Sequence, residues 1–143
     1  MKNIETKTTI KAPINQVWDT LMNFENYPSW NSFIPSITGE PVVGKQISVS
    51  IHPPGKNPMS FTPTVLINKS QQEFKWKGKL GVAGIFDGEH YFQLTAINSN
   101  ETQFIHGENF SGILVPFLFK MIKESTIQGF EEMNQSLKSH LEN

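Results

Sequence analysis

Apolar and polar positions alternate from the start of the chain. Ile4, Thr6, Thr8 and Ile10 fall on one side, and Glu5, Lys7 and Thr9 on the other. Period two predicts a half-buried strand over Met1 to Ile10. Pro13 suits the first turn of a helix, where its missing N–H costs nothing, and Ile14, Val17, Trp18, Leu21 and Met22 follow at helical spacing. A second short helix or turn is expected over Phe24 to Trp30, interrupted by Pro28. After Pro35 the pattern becomes a strand meander. Ile47, Val49 and Ile51 alternate with Ser48 and Ser50, and Pro53-Pro54-Gly55-Lys56-Asn57-Pro58 then turns the chain. Phe61 to Lys69 reads as one further strand. Phe74, Trp76 and Gly78 alternate with Lys75, Lys77 and Lys79, setting an aromatic face against a solvated lysine row.

Two long strands come next, turned by Asn98-Ser99-Asn100. Phe86, His90, Phe92, Leu94 and Ala96 share a face of the first; Thr102, Phe104, His106, Glu108 and Phe110 share a face of the second. If the two faces coincide, paired residues have equal parity. One simple register sets His90 opposite Glu108 and Phe92 opposite His106; the other shifts this by two residues. Leu114 to Leu141 is predicted as a helix about 40 Å long, at ~1.5 Å per residue. Phe119, Ile122, Thr126, Phe130, Met133, Leu137 and Leu141 form its apolar stripe, while Phe117 and Met121 point the opposite way. Those two need cover, expected first from the short N-terminal helices, then from a homodimer partner, then from a membrane surface. Strands joined by turns rather than helical crossovers make the sheet antiparallel. The fold class is therefore α+β: a curved antiparallel sheet of about six to seven strands wrapped around a long C-terminal helix, with two short helices after strand 1. All of it fits a single domain over 1–143.

Composition narrows the function classes. Net charge is −1, with 12 Lys, 13 acidic residues and no Arg. No nucleic-acid partner is expected, since such a protein needs a basic excess and usually Arg forks. The absence of Cys removes disulfides, thiolate zinc sites and a Cys nucleophile. The polar N-terminus lacks the apolar core of a signal peptide. The longest apolar run, Ile113 to Phe119, is too short to span a bilayer, so no stable membrane insertion is expected. A cytoplasmic location is the resulting expectation. The Asn-x-Ser/Thr matches at Asn68, Asn100 and Asn109 read as chance in a chain rich in Ser and Asn.

Ile10-Lys11-Ala12-Pro13, Val17-Trp18, Leu21, Phe24 and Tyr27-Pro28-Ser29-Trp30-Asn31 together resemble the N-terminal signature of the START/pollen-allergen-like superfamily. Trp76-Lys77-Gly78, Gly88-Glu89-His90-Tyr91-Phe92 and His106-Gly107-Glu108-Asn109-Phe110-Ser111-Gly112 resemble the later strands of its bacterial polyketide cyclase/dehydrase and lipid-transport branch. The resemblance covers nearly the whole chain. It implies a helix-grip fold with a ligand cavity between sheet and long helix, and no particular reaction, because the superfamily hosts carriers, receptors, cyclases and chaperone activators.

With that resemblance, Phe61, Trp76, Phe86, Phe92, Phe104 and Phe110 are candidates to line a pocket rather than ordinary core. Phe119 and Ile122 join them from the helix. His90, His106 and Glu108 are the ionisable groups placed on the inner face, where an unpartnered polar group costs roughly 1–3 kcal/mol. They either hydrogen-bond the polar end of a ligand, satisfy one another through a water, or act as acid and base. Two His and one carboxylate also suggest a metal triad, but the ligand spacing of related iron-binding domains is absent, and no metal or cofactor is expected. His52 and His140 are expected in solvent. Trp30 and Phe33 precede a Pro and read as a gate or a plug at one end of the cavity. Gly78, Gly81 and Gly84 precede a strand, not a helix, and are turn glycines rather than a phosphate loop. No Gly-x-Ser-x-Gly elbow occurs.

Three functions follow as expectations. The first is binding or carriage of a hydrophobic small molecule, lipid-like or aromatic. The second is a polyketide cyclase/dehydratase-like enzyme using a His/Glu acid–base pair. The third is a protein-interaction module resembling a chaperone co-activator, with Phe117 and Met121 marking its surface.

Overall fold

A computed structural model describes residues 1–142. The alternation at the N-terminus becomes β1 (Lys2–Ile10), with Ile4 and Ile10 buried. Pro13, extended at φ −61° and ψ 147°, caps α1 (Ile14–Met22), which buries Val17, Trp18 and Leu21. A 3₁₀ turn (Phe24–Asn26) and α2 (Tyr27–Trp30) follow. Then come β2 (Ser36–Thr38), β3 (Ser48–Ile51), β4 (Met59–Phe61), β5 (Thr64–Lys69), β6 (Glu73–Lys79), β7 (Asp87–Asn98), β8 (Glu101–Ser111) and α3 (Val115–Glu142).

The described residues form eight strands in two antiparallel sheets rather than one sheet of six or seven. The larger runs β1-β8-β7-β6-β5 and the smaller β2-β3-β4. The segment 61–69, expected as one strand, divides at Thr62 and Pro63. Proline has no N–H for the ladder, so the chain leaves the small sheet there and re-enters the large one at Thr64. Phe61 consequently pairs with Val49 in the small sheet. An isolated bridge, Gln46 to Thr64, ties the segment before β3 to the large sheet.

The register of the long hairpin is the first of the two anticipated: His90 faces Glu108 and Phe92 faces His106. Pairing continues outward, with Trp76 opposite His90 and Thr6 opposite His106. Rows of residues from four strands thus meet α3, which buries Phe130, Met133 and Leu137 on the anticipated stripe. Each such side chain contributes ~1.5–3 kcal/mol of apolar burial. Gly129 lets Phe33 lie directly on the helix, since a Cβ there would collide with its ring. Gly112, at φ +123° and pressed against the Ile85 carbonyl, turns β8 into α3.

The first turns of α3 are not covered as expected. The short helices reach the other end of α3, where Trp30 stacks on His140 and Ser32 bonds Glu132. Phe117 and Met121 therefore remain 73% and 71% exposed.

Candidate functional site

Four side chains form one hydrogen-bonded chain through the apolar interior, and a fifth, Glu108, faces its end. Thr6 on β1 donates its hydroxyl hydrogen to the His106 carbonyl at 3.0 Å. Its oxygen accepts from Asn134 Nδ2 of α3 at 2.8 Å. That bond turns Asn134 Oδ1 toward His106 Nδ1, 3.0 Å away. His106 Nε2 meets His90 Nε2 at 2.8 Å, and His90 Nδ1 faces Glu108 Oε1 at 3.4 Å. That last separation is not a formed hydrogen bond: His90 Nδ1 is buried without a partner.

The donor order follows from these contacts. Asn134 Oδ1 is an acceptor, so His106 carries its hydrogen on Nδ1. Burial, and then His90, hold the His106 imidazole well below the ordinary histidine range. A neutral His106 has its lone pair on Nε2 and accepts from His90 Nε2–H. With its Nε2–H given to His106, His90 has only Nδ1 left to turn toward the Glu108 carboxyl.

Rings enclose this chain. The Trp76 indole stacks on His90 at 4.7 Å and 9°, while Phe92 and Phe130 meet His90 edge-on. Phe130 also lies flat on His106. Phe33 packs against both Phe130 and His106, positioned by Asn31 Oδ1, which accepts from the N–H groups of Phe33 and Ile34.

The inner face changes character beyond Glu108. Gly78 and Gly88 stand opposite each other, and Gly88 stands opposite Phe110. The missing side chain at Gly88 gives Glu108 its room, because a Cβ there would collide with the carboxylate. Glu108 is 19% exposed, and His90 is its ion-pair partner among the described residues. Phe110 packs against Phe86 and against Phe119 of α3, each at 5.7 Å. Phe86, Phe119 and Ile122 are only partly buried.

The sequence-derived residues therefore divide. Trp76, His90, Phe92, His106 and Glu108 are together; Phe110 touches Phe86 and Phe119, and Ile122 is partly buried on α3. Phe33 is buried core packing behind His106. Trp30 lies against His140 at the far end of the helix. Phe61 borders a separate groove of about 540 Å³ with Lys77, Gly78 and Asp87. His52 and His140 are exposed as expected. Gly81 and Gly84 are turn glycines with positive φ, whereas Gly78 lies within β6.

Asn134 and Thr6 were not anticipated as members. Asn134 gave a signal, a polar residue on the buried stripe one turn after Phe130. Thr6 gave only its place on the inner face of β1. Among the described residues no cluster of three metal-ligating side chains occurs.

Residues 1–142 match the family described as polyketide cyclase / dehydrase and lipid transport. The chain belongs to that family. A comparison with curated proteins finds no match. Solved structures of the same fold include a START superfamily protein from Mycobacterium smegmatis, 16% identical over 98% of this chain and 97% of that one, with a TM-score of 0.75. The Zhui aromatase/cyclase from Streptomyces sp. R1128 is 12% identical over 97% and 94%, with a TM-score of 0.71. A norcoclaurine synthase variant from Thalictrum flavum is 12% identical over 98% and 93%, with a TM-score of 0.73. At these identities the likeness extends to the fold. Among the described residues of this polyketide cyclase / dehydrase and lipid transport family member, no helix is long and apolar enough to cross a membrane.

Proposed function

We propose that the protein binds a small hydrophobic molecule, aromatic or lipid-like, between the inner face of the large sheet and the first half of α3. The observation that carries this reading is Glu108. A carboxylate on an apolar inner face is costly unless something engages it, and its ion-pair partner is a histidine nitrogen that lies too far away for a formed bond. Phe86, Phe110, Phe119 and Ile122 supply the apolar walls. A hydroxyl, amine or other donor at one end of the molecule would bond Glu108, while an anionic end would be repelled. Few polar groups converging in an aromatic surround is the usual make-up of a small-molecule site.

Titration with the neutral fluorophore N-phenyl-1-naphthylamine tests the reading, together with native mass spectrometry of the protein as isolated. Saturable binding that weakens at least tenfold in Ile122→Asp is expected. No binding, with no co-purifying molecule, would overturn it.

A second reading uses the same residues. The unpartnered His90 Nδ1 beside Glu108 suits acid–base chemistry on a polyketide-like ligand. A base would take the proton next to a carbonyl, and the acid would return one to a departing hydroxyl, which leaves as water. Release of water from a β-hydroxyketone, lost in Glu108→Gln, would favour it over carriage.

A further inference from the structure

We infer that His106 is an acid-sensitive latch holding α3 onto the sheet: a proton added at its Nε2 releases the middle of the helix. The latch concerns the helix–sheet contact itself and does not depend on any ligand.

His106 is held to α3 by two contacts. Its face lies on the Phe130 ring at 4.0 Å, and its Nδ1–H bonds Asn134 Oδ1. Asn134 extends the tie to Thr6 on β1. One imidazole therefore connects β8, α3 and, through Asn134, β1. The connection holds while His106 Nε2 offers a lone pair to His90.

A proton on His106 Nε2 would set two N–H donors against each other across 2.8 Å. It would also place a positive charge where no carboxylate can answer it. The groups facing His106 are His90 from β7, Thr6 from β1, Asn134 and Phe130 from α3, and Phe33 from the segment after α2. Phe92 and Phe104 flank it within the sheet. Glu108, the one carboxylate in the cluster, is on the far side of His90, facing its Nδ1. The charged groups nearest the other end, Glu5, Lys7, Lys123 and Glu131, line the groove outside Thr6 and Asn134. Phe130 closes one face of the imidazole and Asn134 its edge, so water reaches a charged His106 only when α3 lifts.

The sign follows from linkage. The folded state disfavours protonated His106, and the unfolded or lifted state accepts the proton near its ordinary value of about 6.5. Above that pH the latch is complete. Below it, the ratio of closed to lifted helix falls by up to tenfold per pH unit.

Amide hydrogen exchange between pH 7.5 and 5, corrected for intrinsic rates, reads the latch directly. Protection of 126–137 in α3 should fall below pH 6.5, while that of the β7 amides falls less. In His106→Gln, which keeps an uncharged hydrogen-bonding side chain, this difference should disappear. Imidazole nitrogen NMR of the unmodified protein gives a second measurement should that variant not fold. It should show His106 as the Nδ1–H tautomer at pH 7.5. The same loss of helix protection in His106→Gln, or a doubly protonated His106 beneath a fully protected helix, would overturn the proposal.

Discussion

The imidazole of His106 lies on the ring of Phe130 with centroids 4.0 Å apart and planes 15° from parallel. The pair joins β8 to α3 at the centre of the interior, and Phe130 also touches His90 and Phe33. Polar and apolar packing thus depend on one ring. Phe130→Ala should destabilise the protein by about 3–5 kcal/mol, as large truncations in closed cores do. Phe119→Ala, at a partly buried ring, should cost less than half as much. Urea unfolding compares the two; equal losses would mean that both halves of α3 are held alike.

Gly129→Ala tests how closely Phe33 approaches the helix. Alanine improves helix propensity by about 1 kcal/mol. The new methyl group would collide with the Phe33 ring, which the Asn31 turn pins in place. Overpacking of this kind costs ~1–3 kcal/mol. The net effect should be a lower Tm by calorimetry, and a raised Tm would show that Phe33 can move aside.

Much of this architecture is legible in the sequence, for reasons that differ by element. Period two in β1, β7 and β8 fixed which side chains share a face, and parity then limited the hairpin to two registers. The helical stripe placed Phe130, Met133 and Leu137 correctly because burial follows the 3.6-residue repeat. The break before β5 escapes the sequence pattern because apolar alternation continues across Thr62-Pro63, while the ladder cannot. Asn134 was passed over because a polar residue on an apolar stripe reads as an interruption until its partner is known. His106 and Thr6 face each other through a pairing between β1 and β8, a hundred residues apart in sequence, and no local pattern encodes it.

Gly88→Ala should separate ligand binding from folding. The added methyl group occupies the space that the Glu108 carboxylate now fills. Glu108 is partly exposed and can rotate outward, so the folded state should lose no more than ~1–2 kcal/mol. Binding of the neutral naphthylamine probe should weaken about as much as in Glu108→Gln. If both variants bind it as the unmodified protein does, Glu108 does not contact the bound molecule.

The exposed start of α3 supports a last prediction. Ile113, Phe117 and Met121 recur every four residues and are 69%, 73% and 71% exposed. Phe117 and Met121 therefore share one side of the first turns of α3, Ile113 lies in the turn just before it, and all three contribute little to the fold. Replacing Phe117 by Ser and Met121 by Gln should change stability by no more than ~0.5 kcal/mol. Cover by the protein's own short helices is excluded by their position near Trp30 and His140. A second copy is the next candidate, since homodimers bury apolar stripes of this kind. A membrane is less favoured, because Lys120 and Lys123 are the only lysines in this part of the helix and Glu124 follows them. Light scattering over a concentration series should show self-association in the unmodified protein and its loss in the double variant. Equal masses for both, with vesicle binding lost in the variant alone, would assign the stripe to a lipid surface instead.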